Sequence, residues 1–276
     1  MERKTFRQTW EQLTHPVLVT DCYEKQMLAF RKTFPEYITP ERLSRLERSY
    51  LLNPLSFCRF FRENVEKSWP KAILMSPAVG YLHKKEENKI YDNSPTILVE
   101  AGILTLGWAA AKIILSSGSI PSFAEGAIMV TADIALIAAI NARRYHEVCH
   151  ALSFQDPGEK TSGIAKTVVR KGVSVVENKN FNEVLTDKFA EMAMKRDGIT
   201  PWISSFGEKL LLYHKSRWIW FRQVEATLVH FYDVEEKERL VSEAYWDGKL
   251  KELIFAFNQS LTRGQKTFEE LSKKAG

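Results

Sequence analysis

The feature that most constrains the fold is a long apolar segment that continues directly into a histidine-containing motif. Residues 126–140 read GAIMVTADIALIAAI, and residues 141–154 read NARRYHEVCHALSF. Such a run predicts a helix with a long apolar face that must be covered, either by a protein core or by lipid. The motif at its end is therefore predicted to enter the interior of the protein.

A second apolar segment precedes this one and raises the same choice between core and membrane. Residues 93–115 read NSPTILVEAGILTLGWAAAKIIL, with Ser94 as the predicted N-cap and Pro95 at the first helical position. Each segment is nearly long enough to span a bilayer. Charged residues lie in or beside both segments: Glu100, Lys112, Glu125 and Asp133. Because a charge near the bilayer centre is costly, we expect buried core helices rather than a membrane hairpin.

Composition places the chain among ordinary globular proteins. Its 276 residues can bury a sizeable core, in one large domain or two modest ones. Hydrophobic residues make up 45% and charged residues 26%, which argues against disorder. The net charge of +5 comes from scattered basic residues and is too small to indicate a nucleic-acid partner.

Cysteine content and the first residues bear on the compartment. The three cysteines, Cys22, Cys58 and Cys149, are odd in number and lack metal-type pair spacing. This pattern fits a reducing compartment better than a disulfide framework. The opening residues, MERKTFRQTWEQLTHP, contain no apolar signal-peptide core. A cytoplasmic location is therefore expected.

Turn and cap signals predict an α+β fold that is predominantly α-helical. Residues 1–75 form a predicted N-terminal helical region, in which Thr39 caps a helix that starts at Pro40. Within residues 76–276, hairpins are predicted at 78–92 and 166–180, and helices from Phe181 onward. We expect the hairpins to form a small, mostly antiparallel sheet packed on the motif helix.

The motif itself, HEVCH at 146–150, has the spacing of a metal site. Four residues turn a helix by about 400°, so His146 and His150 lie on one face, one turn apart. Glu147 lies about 60° around the helix from His150, where it can act on a metal-bound water molecule without being a ligand itself. Neutral imidazoles suit zinc, and a catalytic zinc site usually has three protein ligands. A third ligand is therefore required.

The segment NKNFNEVLTDKFAEMAMK, residues 178–195, offers that ligand. Glu183 and Asp187 are four residues apart on one predicted helix face, and Asn182 comes just before them. We interpret Glu183 as the third ligand. Asp187 would accept the free N–H of a liganding histidine and so fix its tautomer.

HEVCH followed by NEVLTD resembles the gluzincin metallopeptidases, the thermolysin-like clan. The longer pattern HEVCHALSFQD…FNEVLTDKFAE looks most like small bacterial gluzincin-like proteins, and the specific part covers Tyr145–Met194. The resemblance implies a zincin-like core within 76–276, followed by a helical C-terminal tail. It also implies one zinc ion on His146, His150 and Glu183, with Glu147 as general base and a peptide or protein as substrate.

Two further features follow from the resemblance. A strand edge should line the substrate cleft, and residues 79–92 could supply it, although an extra apolar helix separates them from the motif. A donor should stabilise the oxyanion. The candidates are His214, His230, Tyr213 and Tyr232. Their spacing singles out none of the four.

Cys149 lies on the flank of the ligand face and is interpreted as a small buried filler rather than a ligand.

Two other functions remain open at this stage. A catalytically silent descendant could keep the fold and act as a binding or scaffold module. Alternatively, the chain resembles the CAAX prenyl protease group, membrane-embedded enzymes that also pair HExxH with a downstream E-x-x-x-D. The apolar segments before the motif are the feature that raises this alternative.

Overall fold

The fold is described here from a computed structural model. It describes residues 11, 17–19, 23–44, 46, 49–51, 56, 59–60, 62–63, 68, 70, 81–84, 89–92, 102, 105–110, 123–156, 161–170, 173–199, 233–261, 267–268 and 270. The chain is predominantly helical and carries small, mostly antiparallel sheets.

The described elements of the first part of the chain are short helices and strands, and the last described elements are helices. The first part contains β1 (Val17–Val19), α1 (Glu24–Thr33), α2 (Pro40–Ser44), β2 (Ser49–Leu51), β3 (Tyr81–Lys84) and β4 (Lys89–Asp92). The second contains α3 (Phe123–Leu152), β5 (Phe154–Asp156), β6 (Thr161–Ser162), β7 (Ala165–Arg170), β8 (Val173–Glu177), α4 (Lys179–Arg196), α5 (Val234–Trp246) and α6 (Leu250–Gln259).

The first sheet has the strand order β1-β2-β4-β3. The predicted hairpin is confirmed, because β3 and β4 pair antiparallel from Tyr81↔Asp92 to Lys84↔Lys89. Strand β2 pairs parallel with β4, and β1 pairs antiparallel with β2. Both β3 and β4 contact α3. The sheet therefore packs on the helix that carries the motif, as expected, and β3 forms one of its edges.

The second sheet is an antiparallel meander, β5-β6-β7-β8, between the two helices of the motif region. Its last hairpin is the predicted one, with Arg170 paired to Val173 across the turn. Strand β8 leads into α4 through Asn178, whose φ of 57° lies in the left-handed region that asparagine tolerates better than most residues. The meander thus returns the chain so that α4 packs against α3.

Buried aromatic rings connect four helices around the motif. Phe34, the residue that follows α1, meets Phe189 of α4 at 5.3 Å between ring centroids, and Phe30 of α1 meets Tyr145 of α3 at 6.2 Å. Trp246 of α5 lies 5.3 Å from Phe189. Large buried rings contribute the most apolar area per residue, so this cluster fixes the relative positions of α1, α3, α4 and α5.

The end of α3 is held by two serines. Ser153 and Ser162 each donate a hydroxyl hydrogen bond of 3.0 Å to the backbone carbonyl of His150. A helix leaves its last carbonyls without intrahelical donors, and these bonds supply them. They also tie the C-terminal end of the motif helix to strand β6.

The fold corrects one expectation for the first part of the chain and confirms another. The helical region predicted for residues 1–75 also contains β1 and β2, whose three-residue length is too short for an alternation signal. The helix start at Thr39 is confirmed by its 3.3 Å bond from the Arg42 N–H. The cap predicted at Ser94 lies outside the described residues.

Within the described ranges, no helix combines the length and apolar character needed to cross a bilayer.

The prediction that both apolar segments are buried is wrong for several described side chains. Leu106 is 72% exposed and Ile134 is 54% exposed. A helix of 30 residues such as α3 is about 45 Å long, which exceeds the reach of a small core. Its described buried side chains begin at Ile140 and continue through the motif. Among the described side chains of α3, the buried ones therefore lie at the end that carries the histidines.

Candidate metal centre

Among the described residues, one group of His, Cys, Asp and Glu side chains converges closely enough to hold a metal ion. It consists of His146, His150 and Glu183, and one donor atom from each lies within 4.8 Å of the others. His146 and His150 come from α3, one turn apart, and Glu183 comes from the first turn and a half of α4. The packing of α3 against α4 thus assembles the trio that the sequence predicts.

The spacing of the donor atoms fits a tetrahedral zinc ion. The Nε2 atoms of His146 and His150 are 3.1 Å apart. Glu183 Oε2 lies 3.3 Å from His146 Nε2, and Glu183 Oε1 lies 3.5 Å from His150 Nε2. Bonds of about 2.0–2.1 Å in a tetrahedron place neighbouring ligand atoms about 3.3–3.4 Å apart. Two imidazoles and one carboxylate are also ligands that zinc commonly accepts. The side chains present therefore fit the ion.

Asp187 holds the other nitrogen of His146. Its Oδ1 lies 2.6 Å from Nδ1, so Nδ1–H donates to the carboxylate and Nε2 faces the cluster. Burial and the neighbouring Arg143 lower the pKa of His146, but Asp187 and Glu183 outweigh them and raise it to about 9. In metal-free protein, His146 is therefore a proton-carrying site at neutral pH.

Glu183 stays ionised in this mostly buried position. Burial raises its pKa, but the charge of His150 and hydrogen bonds from both histidines outweigh that effect and hold the pKa well below its usual range. The result is a negatively charged oxygen pair facing two imidazole nitrogens. Such an arrangement attracts a cation, whether a proton or a metal ion.

Glu147 lies beside the trio and is itself buried, with 2% of its surface exposed. The guanidinium of Arg143, one helical turn earlier, contacts its Oε1 at 2.7 Å. Arg143 is 44% exposed in its side chain, so this ion pair connects the buried carboxylate to the surface. A buried charge needs such a partner, and Arg143 offsets the cost of burying Glu147.

The Nδ1 atom of His150 meets two polar side chains of α4. Thr186 Oγ1 lies 3.4 Å from it and Asn182 Nδ2 lies 3.5 Å from it. Asn182 uses its oxygen elsewhere, accepting the backbone N–H of Ile164 at 2.9 Å. The asparagine therefore binds the second sheet to α4 as well as facing the histidine.

A buried tyrosine from α5 joins this group. The Tyr245 hydroxyl lies 2.7 Å from Thr186 Oγ1 and 3.4 Å from Cys149 Sγ. Burial, together with Cys149, raises the pKa of Tyr245 well above its usual value, and burial likewise raises that of Cys149. Both groups are therefore neutral. Cys149 does not belong to the metal-binding trio, which agrees with its interpretation as a filler.

Gly163 allows the second sheet to approach this group closely. Its φ is +59°, and a Cβ atom there would lie 2.2 Å from Asn182 Oδ1 and 2.7 Å from the Tyr245 ring. Both neighbours are at most 1% exposed. Only glycine combines this backbone conformation with so little space.

Gly163→Ala is expected to destabilise the protein by about 2–5 kcal/mol. The left-handed conformation contributes about 1–2 kcal/mol and overpacking about 1–3 kcal/mol. Gly198→Ala is the matched control, because Gly198 also has positive φ, at +78°, but no atom lies within 4 Å of its Cβ position. Denaturant unfolding of both variants separates the two effects. Equal losses in the two variants would show that the crowding at Gly163 is absent in solution.

The structure brings together most of the predicted site and leaves part of it undescribed. His146, Glu147, His150, Asn182, Glu183 and Asp187 lie in one region of α3 and α4. His214, His230, Tyr213 and Tyr232 all lie outside the described residues. Sequence reasoning missed Arg143, Thr186 and Tyr245. Arg143 and Thr186 could have been found from helical spacing, since each lies three or four residues from a predicted site residue.

Comparison with known proteins identifies no relative. No family model matches the chain. Neither a curated protein nor a solved structure matches it.

Proposed function

We propose that the protein is a zinc-dependent peptidase of gluzincin type with a zincin-like core. The observation that carries the proposal is the spacing of 3.1 Å, 3.3 Å and 3.5 Å between the donor atoms of His146, His150 and Glu183. Neighbouring ligand atoms of a tetrahedral zinc ion lie about 3.3–3.4 Å apart, which is close to these distances. Two further features support hydrolysis as the use of the metal. The Asp187 carboxylate lies directly behind His146, and the buried Glu147 lies beside the trio.

Each protein group has a distinct task in this mechanism. A zinc ion, when bound, supplies Lewis-acid activation of water and of the substrate carbonyl. Glu147 accepts a proton from the attacking water and returns it to the leaving amine. Asp187 keeps the proton of His146 on Nδ1, so that Nε2 is available to the metal. Arg143 holds Oε1 of Glu147 and limits the rotamers from which the carboxylate can act.

Strand β3 is the proposed place for the substrate backbone. It is an edge of the first sheet, and it contacts the helix that carries the motif. An edge strand presents backbone groups to which an extended peptide can add as a further strand. The proposed substrates are therefore peptides or protein segments that are extended at the cleaved bond.

Metal content and hydrolysis together test the proposal. Purified protein is expected to hold one zinc per chain after incubation with zinc and removal of excess ion. His146→Ala is expected to hold much less. Zinc-loaded protein should cleave members of a mixed peptide library, detected by new amino termini. A chain that retains no zinc, or that retains as much after His146→Ala, would remove the basis of the proposal.

Asp187→Ala is expected to weaken zinc binding by about 10–100-fold through loss of the bond that orients His146. Asp187→Asn should lose less, since an amide oxygen still accepts the Nδ1–H. Both are best compared at pH 9, where protons compete least for His146. Zinc affinities that are equal to the wild-type value would show that Asp187 does not hold the histidine in solution.

Zinc affinity is expected to rise with pH up to about pH 9. Zinc binds neutral imidazole, and the raised pKa of His146 means that a proton must leave before the metal binds. The apparent affinity should increase about tenfold per pH unit from about pH 6.5 to 9 and then level off. By the same linkage, the pair of protonated His146 and ionised Asp187 stabilises metal-free protein below pH 6.5. This contribution is lost as the pH rises to about 9. Competition titrations at several pH values measure the slope. A flat profile between pH 6.5 and 8.5 would contradict it.

A further inference from the structure

Arg143 brings a positive charge to the metal centre on the same face of α3 as the two histidines. It precedes His146 by three residues and Glu147 by four, and residues at these spacings are neighbours on a helix surface. Its guanidinium contacts Glu147 Oε1 at 2.7 Å. The guanidinium therefore lies beside the proposed general base and one helical turn from the first ligand.

The turn that carries Arg143 is also where α3 opens to solvent. Residues 145–152 of this helix are all buried, whereas residues 141–144 are exposed or half-buried. The side chains of His146 and His150 are 5% and 6% exposed, but that of Arg143 is 44% exposed. Along α3, a molecule in solvent therefore approaches the trio past the guanidinium of Arg143.

The proposed reaction decides which part of a substrate lies near this guanidinium. Glu147 returns its proton to the leaving amine, so the leaving nitrogen must come within hydrogen-bond reach of that carboxylate. Arg143 contacts the same carboxylate. The residue that begins with the leaving nitrogen is therefore the one closest to Arg143. Its side chain, if it is Asp or Glu, or its terminal carboxylate, if it is the last residue, lies within a few bonds of that nitrogen.

The charges around the trio favour this orientation of a carboxylate over the opposite one. On the α4 side, Glu183 and Asp187 are carboxylates themselves and disfavour another negative charge. On the α3 side, a guanidinium offers several N–H donors in a planar fork, enough to contact Glu147 and a second carboxylate together. Such a pair fixes the orientation of a bound group as well as adding affinity.

We infer that Arg143 is a specificity-determining residue and that the substrates are peptides with a carboxylate on the residue after the cleaved bond. The inference rests on the proposed function, because only hydrolysis defines a residue after the cleaved bond. In the bound state, the guanidinium bridges Glu147 and the substrate carboxylate. An acidic side chain and a terminal carboxylate present the same chemistry, and they correspond to cleavage inside a chain and removal of its last residue.

Matched peptide pairs test the inference with zinc-loaded protein, on sequences taken from the peptides cleaved in the mixed library. The first pair is blocked at both ends and has Glu or Gln after the cleaved bond. The second pair has a neutral last residue after that bond, with a free or an amidated terminus. In at least one pair, kcat/KM should favour the charged member by about 5–30-fold, and the responding pair identifies the source of the carboxylate. Equal kcat/KM within both pairs would overturn the inference.

Substitution of Arg143 separates recognition of the substrate from positioning of Glu147. Arg143→Gln should reduce the preference to less than about twofold, and Arg143→Lys should keep part of it, since the charge remains without the planar fork. Loss of the contact with Glu147 slows both members of a pair alike, so the ratio within a pair reports recognition alone. A preference that survives unchanged in Arg143→Gln would assign the carboxylate to another group and contradict the inference.

Arg144→Gln is the matched control for these variants. Arg144 is the next residue of α3 and lies about 100° around the helix from Arg143, away from the face that carries the histidines. The chemical change is the same, and the ratio within each peptide pair should stay at the wild-type value. An equal loss of preference in Arg144→Gln and Arg143→Gln would show a general effect of charge and refute a specific role of Arg143.

Peptide binding distinguishes failure of this inference from failure of the proposed function. Cleavage without a preference leaves the proposed function standing and overturns the inference. If zinc-loaded protein cleaves no peptide, the proposed function fails, and fluorescently labelled members of the two pairs are compared for binding to the same protein. Stronger binding of a charged member, lost in Arg143→Gln, supports carboxylate recognition by Arg143. Equal binding of both members, or none, overturns it.

Discussion

Glu147→Gln is expected to lower turnover by about 10²–10⁴-fold while the protein still holds one zinc per chain. Glutamine has nearly the shape of glutamate and can still hydrogen-bond a water molecule. It cannot accept a proton at neutral pH, so the proposed general base is lost while the trio of His146, His150 and Glu183 remains. Steady-state rates at full metal occupancy, with zinc measured in the same sample, give the result.

Glu125→Gln is the matched control for this variant. Glu125 lies in the first turn of α3, the helix that also carries Glu147, and the chemical change is the same. It should leave both rate and zinc content near wild-type values. A Glu147→Gln protein that loses its zinc would show that Glu147 is a ligand, and unchanged turnover would show that it is not the base.

Glu183→Gln is expected to weaken zinc binding by more than about 100-fold, beyond the effect of losing a supporting carboxylate. The substitution removes the only carboxylate of the proposed ligand trio, and the amide is a poorer zinc donor than the carboxylate. Loss of activity should follow metal content, and excess zinc should restore part of it. Competition titration against a chelator of known affinity measures the change.

Glu191→Gln provides the comparison on the same helix. Glu191 pairs with Lys195 at 2.8 Å on the partly exposed side of α4 and does not belong to the trio. Exposed ion pairs contribute little, so this variant should bind zinc like the wild type. Retention of zinc by Glu183→Gln at wild-type affinity would require another third ligand.

Local spacing explains why much of the site could be predicted from the sequence. His146 and His150 on one helix, and Glu183 and Asp187 on another, obey the rule that residues four apart share a face. The hairpin at β7 and β8 was predicted from two apolar runs around a basic turn. Each of these inferences needs only a few consecutive residues.

Contacts between distant elements were beyond the sequence. Nothing in the residues around Tyr245 marks its hydroxyl as a partner of Thr186, because that contact depends on how α5 packs against α4. The exposure of Leu106 and Ile134 has the same origin, since the length of the core decides which part of an apolar helix is covered. Propensity and pattern describe one element at a time.

The parallel pairing of β2 with β4 has a consequence for how the chain can be divided. Tyr50 and Leu51 lie opposite Tyr91 and Asp92, so the N-terminal region completes a sheet whose hairpin comes from the following region. A fragment that starts after residue 75 would leave one side of β4 without its backbone partners. An uncovered strand of that kind is a template for association with other chains. Strand β2 therefore covers one side of β4, and attempts to produce residues 76–276 by themselves are expected to yield self-associating material.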